Sequence, residues 1–173
     1  MSRYKTLGGR ENLCRALELY QKDLELFEAL ARELGTAESR RGLAVGYHKV
    51  GSVYGALGGR ENLRRALELH KKTLELTEAL ARELNTVSAY EDLAVSYYML
   101  GVHPAVGPED RRNYLKQLLE LSERLYQQTR SERHQNFIAV AKKSLGAATQ
   151  ETPPDARPAR PSLWRRLFGH GKK

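Results

Sequence analysis

The residues of this chain that could carry nucleophilic or metal chemistry are one cysteine and five histidines. Catalytic and metal sites need such residues at spacings that bring their donor atoms together. No metal-ligand spacing links the histidines with one another or with Cys14; they are His48, His70, His103, His134 and His170. Cys14 lies among leucines, which favours a packed residue or a lightly exposed thiol over a nucleophile. We therefore expect no metal and no cofactor.

Two further patterns resemble functional motifs but lack their decisive residues. The segment LGGREN has paired glycines, but it follows no predicted strand and lacks the lysine of a phosphate-binding loop. Closely spaced glutamates are typical of a solvated helix face; they are Glu25, Glu28, Glu75 and Glu78. The sequence therefore predicts that the protein is not an enzyme.

The composition of the 173 residues favours an all-α protein. Apolar residues make up 40% and charged residues 29%, a balance typical of long amphipathic helices. Of the net charge of +8, residues 152–173 carry +5, because they hold six basic residues and one acid. The remaining +3 does not indicate a nucleic-acid-binding surface. A single cysteine, a polar N-terminus and the absence of an apolar run of about 18 residues predict a cytoplasmic protein.

The chain repeats itself at intervals of 50 residues. Residues 7–34 align with residues 57–84 without a gap, and 23 of the 28 positions are identical. RGLAVGYHKVG at 41–51 is echoed by EDLAVSYYMLG at 91–101, and a weaker third copy, QNFIAVAKKSLG, ends at Gly146. Such self-similarity is typical of stacked repeats, in which each unit buries its apolar face against a neighbour.

Apolar residues at steps of three and four predict helices throughout this repeated part. Ser88 with Glu91, and Thr129 with Glu132, match the spacing of a capping box at a helix start. The six predicted helices, joined by short connections that favour antiparallel hairpins, cover residues 10–34, 37–57, 60–84, 88–101, 108–129 and 131–145.

A glycine recurs at the same place in each copy, as Gly51, Gly101 and Gly146. Inside a helix, glycine costs about 1 kcal/mol relative to alanine. We therefore expect a neighbouring helix to approach the backbone closely at these three positions.

The second unit carries a pattern of residue sizes: Tyr47-x-x-Val50-Gly51-x-x-Tyr54, then Gly58, then Ala66-x-x-x-His70-x-x-Thr73-Leu74. This pattern resembles the tetratricopeptide repeat (TPR), in its longer-period bacterial and kinesin-light-chain-like branch. The resemblance covers residues 1–146 and implies a short right-handed solenoid of antiparallel helical hairpins. It also implies a scaffold or adaptor that binds proteins. The GGREN insertion and the presence of only two complete helix pairs depart from the family's usual pattern.

In the family that this chain resembles, the first helix of each pair lines a concave face on which a peptide or partner helix lies. Aligned on their glycines, three such helices place nine residues in three columns. These candidate partner-binding residues are Arg41, Glu91 and Asn136; Val45, Val95 and Val140; and His48, Tyr98 and Lys143. Aromatic and polar side chains on a concave surface suit a peptide, with Tyr98 as an anchor. Ordinary solvated positions beside a core are the alternative interpretation.

The first copy is more apolar than the second, whereas terminal units of a stack normally have a polar outer face. The chain aligns as if it begins inside the first helix of a repeat, so helix 10–34 lacks its usual partner. The replacements are Cys14 for Arg64, Tyr20 for His70 and Phe27 for Thr77. Self-association through this helix, cover by the C-terminal tail, and a tolerated exposed stripe are the three interpretations.

Helical periodicity stops at Ala147, and residues 147–173 are predicted to be a disordered tail rich in proline and arginine. Its tip can place apolar side chains on one face and arginines on the other; the tip residues are Leu163, Trp164, Arg165, Arg166, Leu167 and Phe168. Such a tip can contact an anionic membrane, a partner's groove or nucleic acid, or fold back onto Tyr20 and Phe27. A solubilising tail is the simplest alternative.

The leading functional hypothesis is a non-catalytic protein-interaction module that binds a peptide or partner helix on its concave face. The alternative is a self-assembling adaptor that its basic tip attaches to an anionic membrane surface or to nucleic acid.

Overall fold

The computed structural model describes the backbone of residues 3–150 and the side chains of residues 9–147. This part of the chain is all-α and contains no strand. Its six helices are α1 (Arg3–Leu34), α2 (Ala37–Leu57), α3 (Arg60–Leu84), α4 (Val87–Gly101), α5 (Pro108–Thr129) and α6 (Glu132–Gln150). The predicted bounds of the second to fifth helices agree with these to within one residue.

The two outer helices are longer than predicted. α1 begins at Arg3, so the first LGGREN lies inside a helix, whereas the second is broken at Gly58 and Gly59. Those two glycines adopt φ of 66° and 81°, conformations that favour glycine, and they turn the chain from α2 back onto α3. The same residues therefore form a helix or a turn according to what precedes them. At the other end, α6 continues to Gln150, into the predicted tail.

Each helix packs against the next helix in the chain. Four of the five connections have two residues, so successive helices run antiparallel, as expected. Buried residues of α2 and α3 form one core cluster, centred on Val50, Tyr54 and Ala66. A second cluster joins α3 to α4, and a third joins α4, α5 and α6.

The helix starts correct the predicted capping boxes. The N-cap of α4 is Thr86, whose side chain accepts a hydrogen bond from the Ala89 N–H, and Thr36 does the same for α2. Ser88 lies inside the first turn, where its hydroxyl instead accepts from Arg41. At α6, the Thr129 hydroxyl accepts from the Ser131 N–H. Threonine caps at equivalent positions of two units are a further sign of the repeat.

Close backbone approach is confirmed at two of the three recurring glycines. A Cβ on Gly51 would lie 3.0 Å from His70 Cε1, and one on Gly101 would lie 2.8 Å from Leu115 Cδ2. At Gly146 the prediction is wrong, because a Cβ there would meet no neighbouring helix within 4 Å among the described residues. α2 and α4 are each followed by a packed helix, whereas no described helix follows α6.

One contact recurs in all three units between the two helices of each pair. The Tyr47 hydroxyl donates to Glu28 Oε1 at 2.9 Å, and the Tyr97 hydroxyl donates to Glu78 Oε1 at 3.0 Å. In the third copy the equivalent positions hold an ion pair, in which Lys142 Nζ lies 2.9 Å from Glu123 Oε1. This shared contact places α5 and α6 in the same relation as α1 with α2 and α3 with α4.

Within the described helices, none combines the length and the apolar character that crossing a membrane requires.

Candidate functional site

A groove with a cavity of about 200 Å³ opens where α2 faces α4. α3 forms its floor, and the first turn of α6 reaches its rim. The residues that line it are Arg41, Ala44, Val45 and His48 of α2, Thr73 and Thr77 of α3, Asp92, Val95 and Ser96 of α4, and Arg133 of α6. We call this set the α2–α4 groove.

The floor of the groove is polar but internally satisfied. The hydroxyls of Thr77 and Ser96 lie 2.9 Å apart and are buried. Thr77 also donates to the Thr73 carbonyl, and Thr73 donates to the Leu69 carbonyl, as helical threonines commonly do. These hydroxyls therefore demand no hydrogen bond from a ligand.

The walls are apolar and small. Val45 is 44% exposed at the opening, and Val95 faces the cavity from the other side. Ala44 is buried beneath them. A groove with short apolar walls has room for an aliphatic or aromatic side chain that inserts from outside.

Charged side chains lie at the rim. Arg41 Nε is 2.7 Å from Asp92 Oδ2, and this ion pair joins α2 to α4. Arg133, the other cation, has its guanidinium carbon 5.8 Å from the centre of the Phe137 ring and no ion pair within the described residues. The rim therefore has an unneutralised positive charge beside a paired one.

Three histidines form a column that starts in the groove and runs into the core. The ring centres of His48 and His70 are 5.7 Å apart, and those of His70 and His103 are 5.9 Å apart. Each ring has one buried nitrogen without a hydrogen-bond partner, namely Nδ1 of His48, Nδ1 of His70 and Nε2 of His103. We call these residues the histidine column.

The histidine column is neutral near pH 7. Burial, followed by repulsion from His48 and His103, lowers the pKa of His70 to about 4. Burial also lowers the pKa of His48, and burial with the nearby Arg111 guanidinium lowers the pKa of His103. His48 therefore presents an uncharged ring to the groove.

Of the nine residues predicted to bind a partner, the structure brings four together in the groove: Arg41, Val45, His48 and Val95. The other five lie elsewhere. Glu91 Oε1 is 3.0 Å from Nε2 of the buried His134, and Tyr98 packs on Phe137 with ring centres 5.8 Å apart. Val140 is half-buried, and Asn136 and Lys143 are exposed. The three column residues of α6 do not line the groove, because only the first turn of that helix reaches it.

Sequence reasoning missed six of the groove residues, and a signal existed for four of them. Asp92 and Ser96 replace Gly42 and Gly46 between otherwise similar segments, and Thr73 and Thr77 are among the five differences between the 28-residue copies. Positions that change while their neighbours stay identical mark where the two units have different surroundings. Ala44 and Arg133 had no such signal.

The predicted self-association residues of α1 have different environments. Cys14 is exposed, but Tyr20 and Phe27 are half-buried rather than open to a partner. Tyr20 packs in the cluster with Val50, and Phe27 lies against Gly42 and Gly46 of α2. The predicted tip, Leu163–Phe168, lies outside the described residues.

Within the part of the chain that the structure describes, no group of three or more histidine, cysteine, aspartate or glutamate side chains could hold a metal ion. Comparisons with models of protein families, with curated proteins and with solved structures found no match to this chain. The geometry of the α2–α4 groove is therefore the observation from which a function can be inferred.

Proposed function

We propose that this protein is a non-catalytic interaction module, a short TPR-like solenoid of three helical hairpins, that binds a peptide segment in the α2–α4 groove. The observation that carries this proposal is the cavity of about 200 Å³ between α2 and α4. It lies on the helices that the family resemblance assigns to the concave face. Residues from four different helices line it, so its shape depends on the assembled array.

The size of the groove favours a peptide side chain over a cofactor or metabolite. Pockets for drug-sized ligands occupy roughly 300–1,000 Å³, and this cavity is smaller. An apolar side chain fits between Val45 and Val95, above hydroxyls that are already paired. The Arg133 guanidinium suits a neighbouring carboxylate of the peptide. The favoured ligand is therefore a segment with an apolar residue next to an acidic one.

Selection from a random peptide display library, followed by fluorescence polarisation with the selected peptides, tests this proposal. Val45→Arg fills the opening of the groove at a position that is already exposed, so the fold should tolerate it. We expect peptide affinity to fall at least tenfold, as for the loss of a central contact. Val87→Arg is the matched control, because Val87 is similarly exposed, at 39%, but does not line the cavity.

Two results would contradict the proposal. One is a selection that yields no peptide above background. The other is a set of peptides that bind wild type, Val45→Arg and Val87→Arg with equal affinity, since their site would then lie outside the groove.

A further inference from the structure

A stripe of leucines on α1 is exposed although its spacing is that of a packed helix face. Leu19, Leu26, Leu30 and Leu34 follow one another at intervals of seven, four and four residues, which places them on one side of the helix. Their side chains are between 43% and 65% exposed. We call them the leucine stripe. Most long apolar side chains on the other described helices are better covered.

The equivalent positions on α3 show that such a face can receive a partner. They are Leu69, Leu76, Leu80 and Leu84, in the same order. Leu69 packs against the cluster of Val50 and Tyr54, and Leu80 is buried. α3 is packed between α2 and α4, whereas α2 is the one described helix against which α1 packs extensively. Within the described residues, the leucine stripe is thus a helix-packing surface that no helix covers.

The part of α1 that carries the leucine stripe has a net negative charge. Between Glu18 and Glu33, α1 has five carboxylates and two cations, Lys22 and Arg32. Tyr47 donates to one of the carboxylates, Glu28. The other four make no ion pair or hydrogen bond within the described residues; they are Glu18, Asp23, Glu25 and Glu33. A fitting occupant is therefore apolar and positively charged.

The chain contains a segment of that chemistry outside the described residues. Residues 163–168 combine Leu163, Trp164, Leu167 and Phe168 with Arg165 and Arg166. Residues 151–162 join the segment to α6, and twelve residues span at most about 40 Å when extended. α1 and α6 are separated by five successive helix contacts of about 8–10 Å each, about 40–50 Å along the array, so the linker must be nearly fully extended if it follows that path.

We propose that residues 163–168 dock on the leucine stripe of their own molecule. The apolar side chains cover the leucines, and Arg165 and Arg166 lie near the unpaired carboxylates of α1. The charge pattern favours this occupant over the stripe of a second copy. Pairing two α1 helices face to face would bring carboxylates of the same sign together, with Asp23 inside the contact. The docking surface is separate from the α2–α4 groove, so this proposal does not depend on the proposed function.

The chain has a built-in probe of this contact, because Trp164 is its single tryptophan. We expect full-length protein to show blue-shifted tryptophan emission and weak quenching by acrylamide. Leu26→Glu with Leu30→Glu should red-shift the emission and raise the quenching constant several-fold. Val87→Glu with Val102→Glu is the matched control, because it changes two exposed valines away from α1 and should leave the emission unchanged. Circular dichroism of both variants checks that the helices remain folded.

Charge and stoichiometry complete the test. Glu18→Gln with Asp23→Asn and Glu25→Gln should weaken docking, and added salt should do the same to wild type. The emission should be independent of protein concentration.

Solvent-exposed emission in wild type would overturn the proposal, as would a blue shift that survives Leu26→Glu with Leu30→Glu. A blue shift that disappears on dilution would place the segment on a second copy. A dimer that persists in Trp164→Ala with Phe168→Ala but is lost in the leucine variant would assign the stripe to a second α1.

Discussion

Helices α1 and α3 have nearly the same sequence and different environments. Over 28 aligned positions 23 are identical, yet Leu30 is 43% exposed while its equivalent Leu80 is 3% exposed. The leucine positions are the same in both helices. The difference arises because, among the described helices, α3 packs extensively against two helices and α1 against one. A helical pattern therefore specifies which face is able to pack, and the neighbours decide how much of it is buried.

One of the five differences between the copies, Phe27 against Thr77, reflects these different environments. On α1, Phe27 fills space that Gly42 and Gly46 leave open on α2. On α3 the equivalent residue is Thr77, which bonds to Ser96, the counterpart of Gly46. A large residue facing glycine in one unit has become two small hydroxyl residues facing each other in the next.

The largest predicted effect comes from truncating the same leucine in both helices. Leu80→Ala should lower the free energy of unfolding by about 2–5 kcal/mol, because it leaves a cavity in a buried site. In the Trp164→Ala with Phe168→Ala background, which removes the proposed docking, Leu30→Ala should cost less than about 1 kcal/mol, because little of its environment is lost. Chemical denaturation followed by circular dichroism measures both. Equal losses would mean that α1 has a full set of neighbours in solution, and the contrast between the helices would then be wrong.

A second prediction uses the histidine column. α3 contributes His70 to it, whereas α1 has Tyr20 at the equivalent position. His70 has a folded pKa of about 4, below the unfolded value of about 6.5. The folded state therefore binds fewer protons, and stability falls as the pH drops from about 6.5 towards 4, by on the order of 3 kcal/mol. His48 and His103 face His70 from α2 and from the loop after α4, and Arg111 lies beside His103. When charged, each of these three groups disfavours a positive charge on the His70 ring.

Denaturation at a series of pH values measures this loss. His70→Gln should flatten most of the decline. Tyr20→His places a histidine at the equivalent, half-buried position of α1 and should add little acid sensitivity. If Tyr20→His added a loss of stability at low pH as large as that from His70, burial between two helices would not be the cause of the lowered His70 pKa.

The sequence predicted the all-α class and most helix bounds. It could do so because the repeat shows both the helical periodicity and the positions where helices contact each other. The helix-turn pattern fixed most bounds, and the recurrence of Gly51 and Gly101 predicted close contacts. The failures occurred where one copy lacks a neighbour that the other has, as at the first LGGREN and at Gly146. In the groove, Arg41, Val45 and His48 of α2 were predictable from the family resemblance, whereas Ala44 was not. The role of Arg133 was not, because it depends on how the start of α6 is placed after an irregular loop.

A third prediction tests the coupled exchange between Phe27 and its facing glycines. A Cβ on Gly42 would lie 2.9 Å from Phe27 Cδ1, so Gly42→Ala should destabilise the protein by about 1–3 kcal/mol. Adding Phe27→Thr should recover part of that loss, with a coupling of about 1 kcal/mol or more in a double-mutant cycle. Gly55→Ala is the control, since a Cβ there meets nothing within 4 Å, and it should be neutral or slightly stabilising. Additive effects of Gly42→Ala and Phe27→Thr would show that the two sites do not compensate each other.

The smallest predicted effects concern the contact that all three units share. Burial and the carboxylate partner raise the pKa of both Tyr47 and Tyr97 to about 12, so each tyrosine remains a neutral hydrogen-bond donor to its glutamate. Tyr47→Phe and Tyr97→Phe should each cost about 1 kcal/mol, because each leaves a partly buried carboxylate without its donor. Lys142→Met should cost less than about 1 kcal/mol, since both partners of that ion pair are substantially exposed.

Repeating the denaturation in high salt separates the two kinds of contact, because screening should reduce the cost of Lys142→Met and leave the tyrosine variants nearly unchanged. A tyrosine cost that also disappeared in salt would mean that the glutamates act as exposed charges and that the hydrogen bond contributes little to joining the helices of each pair.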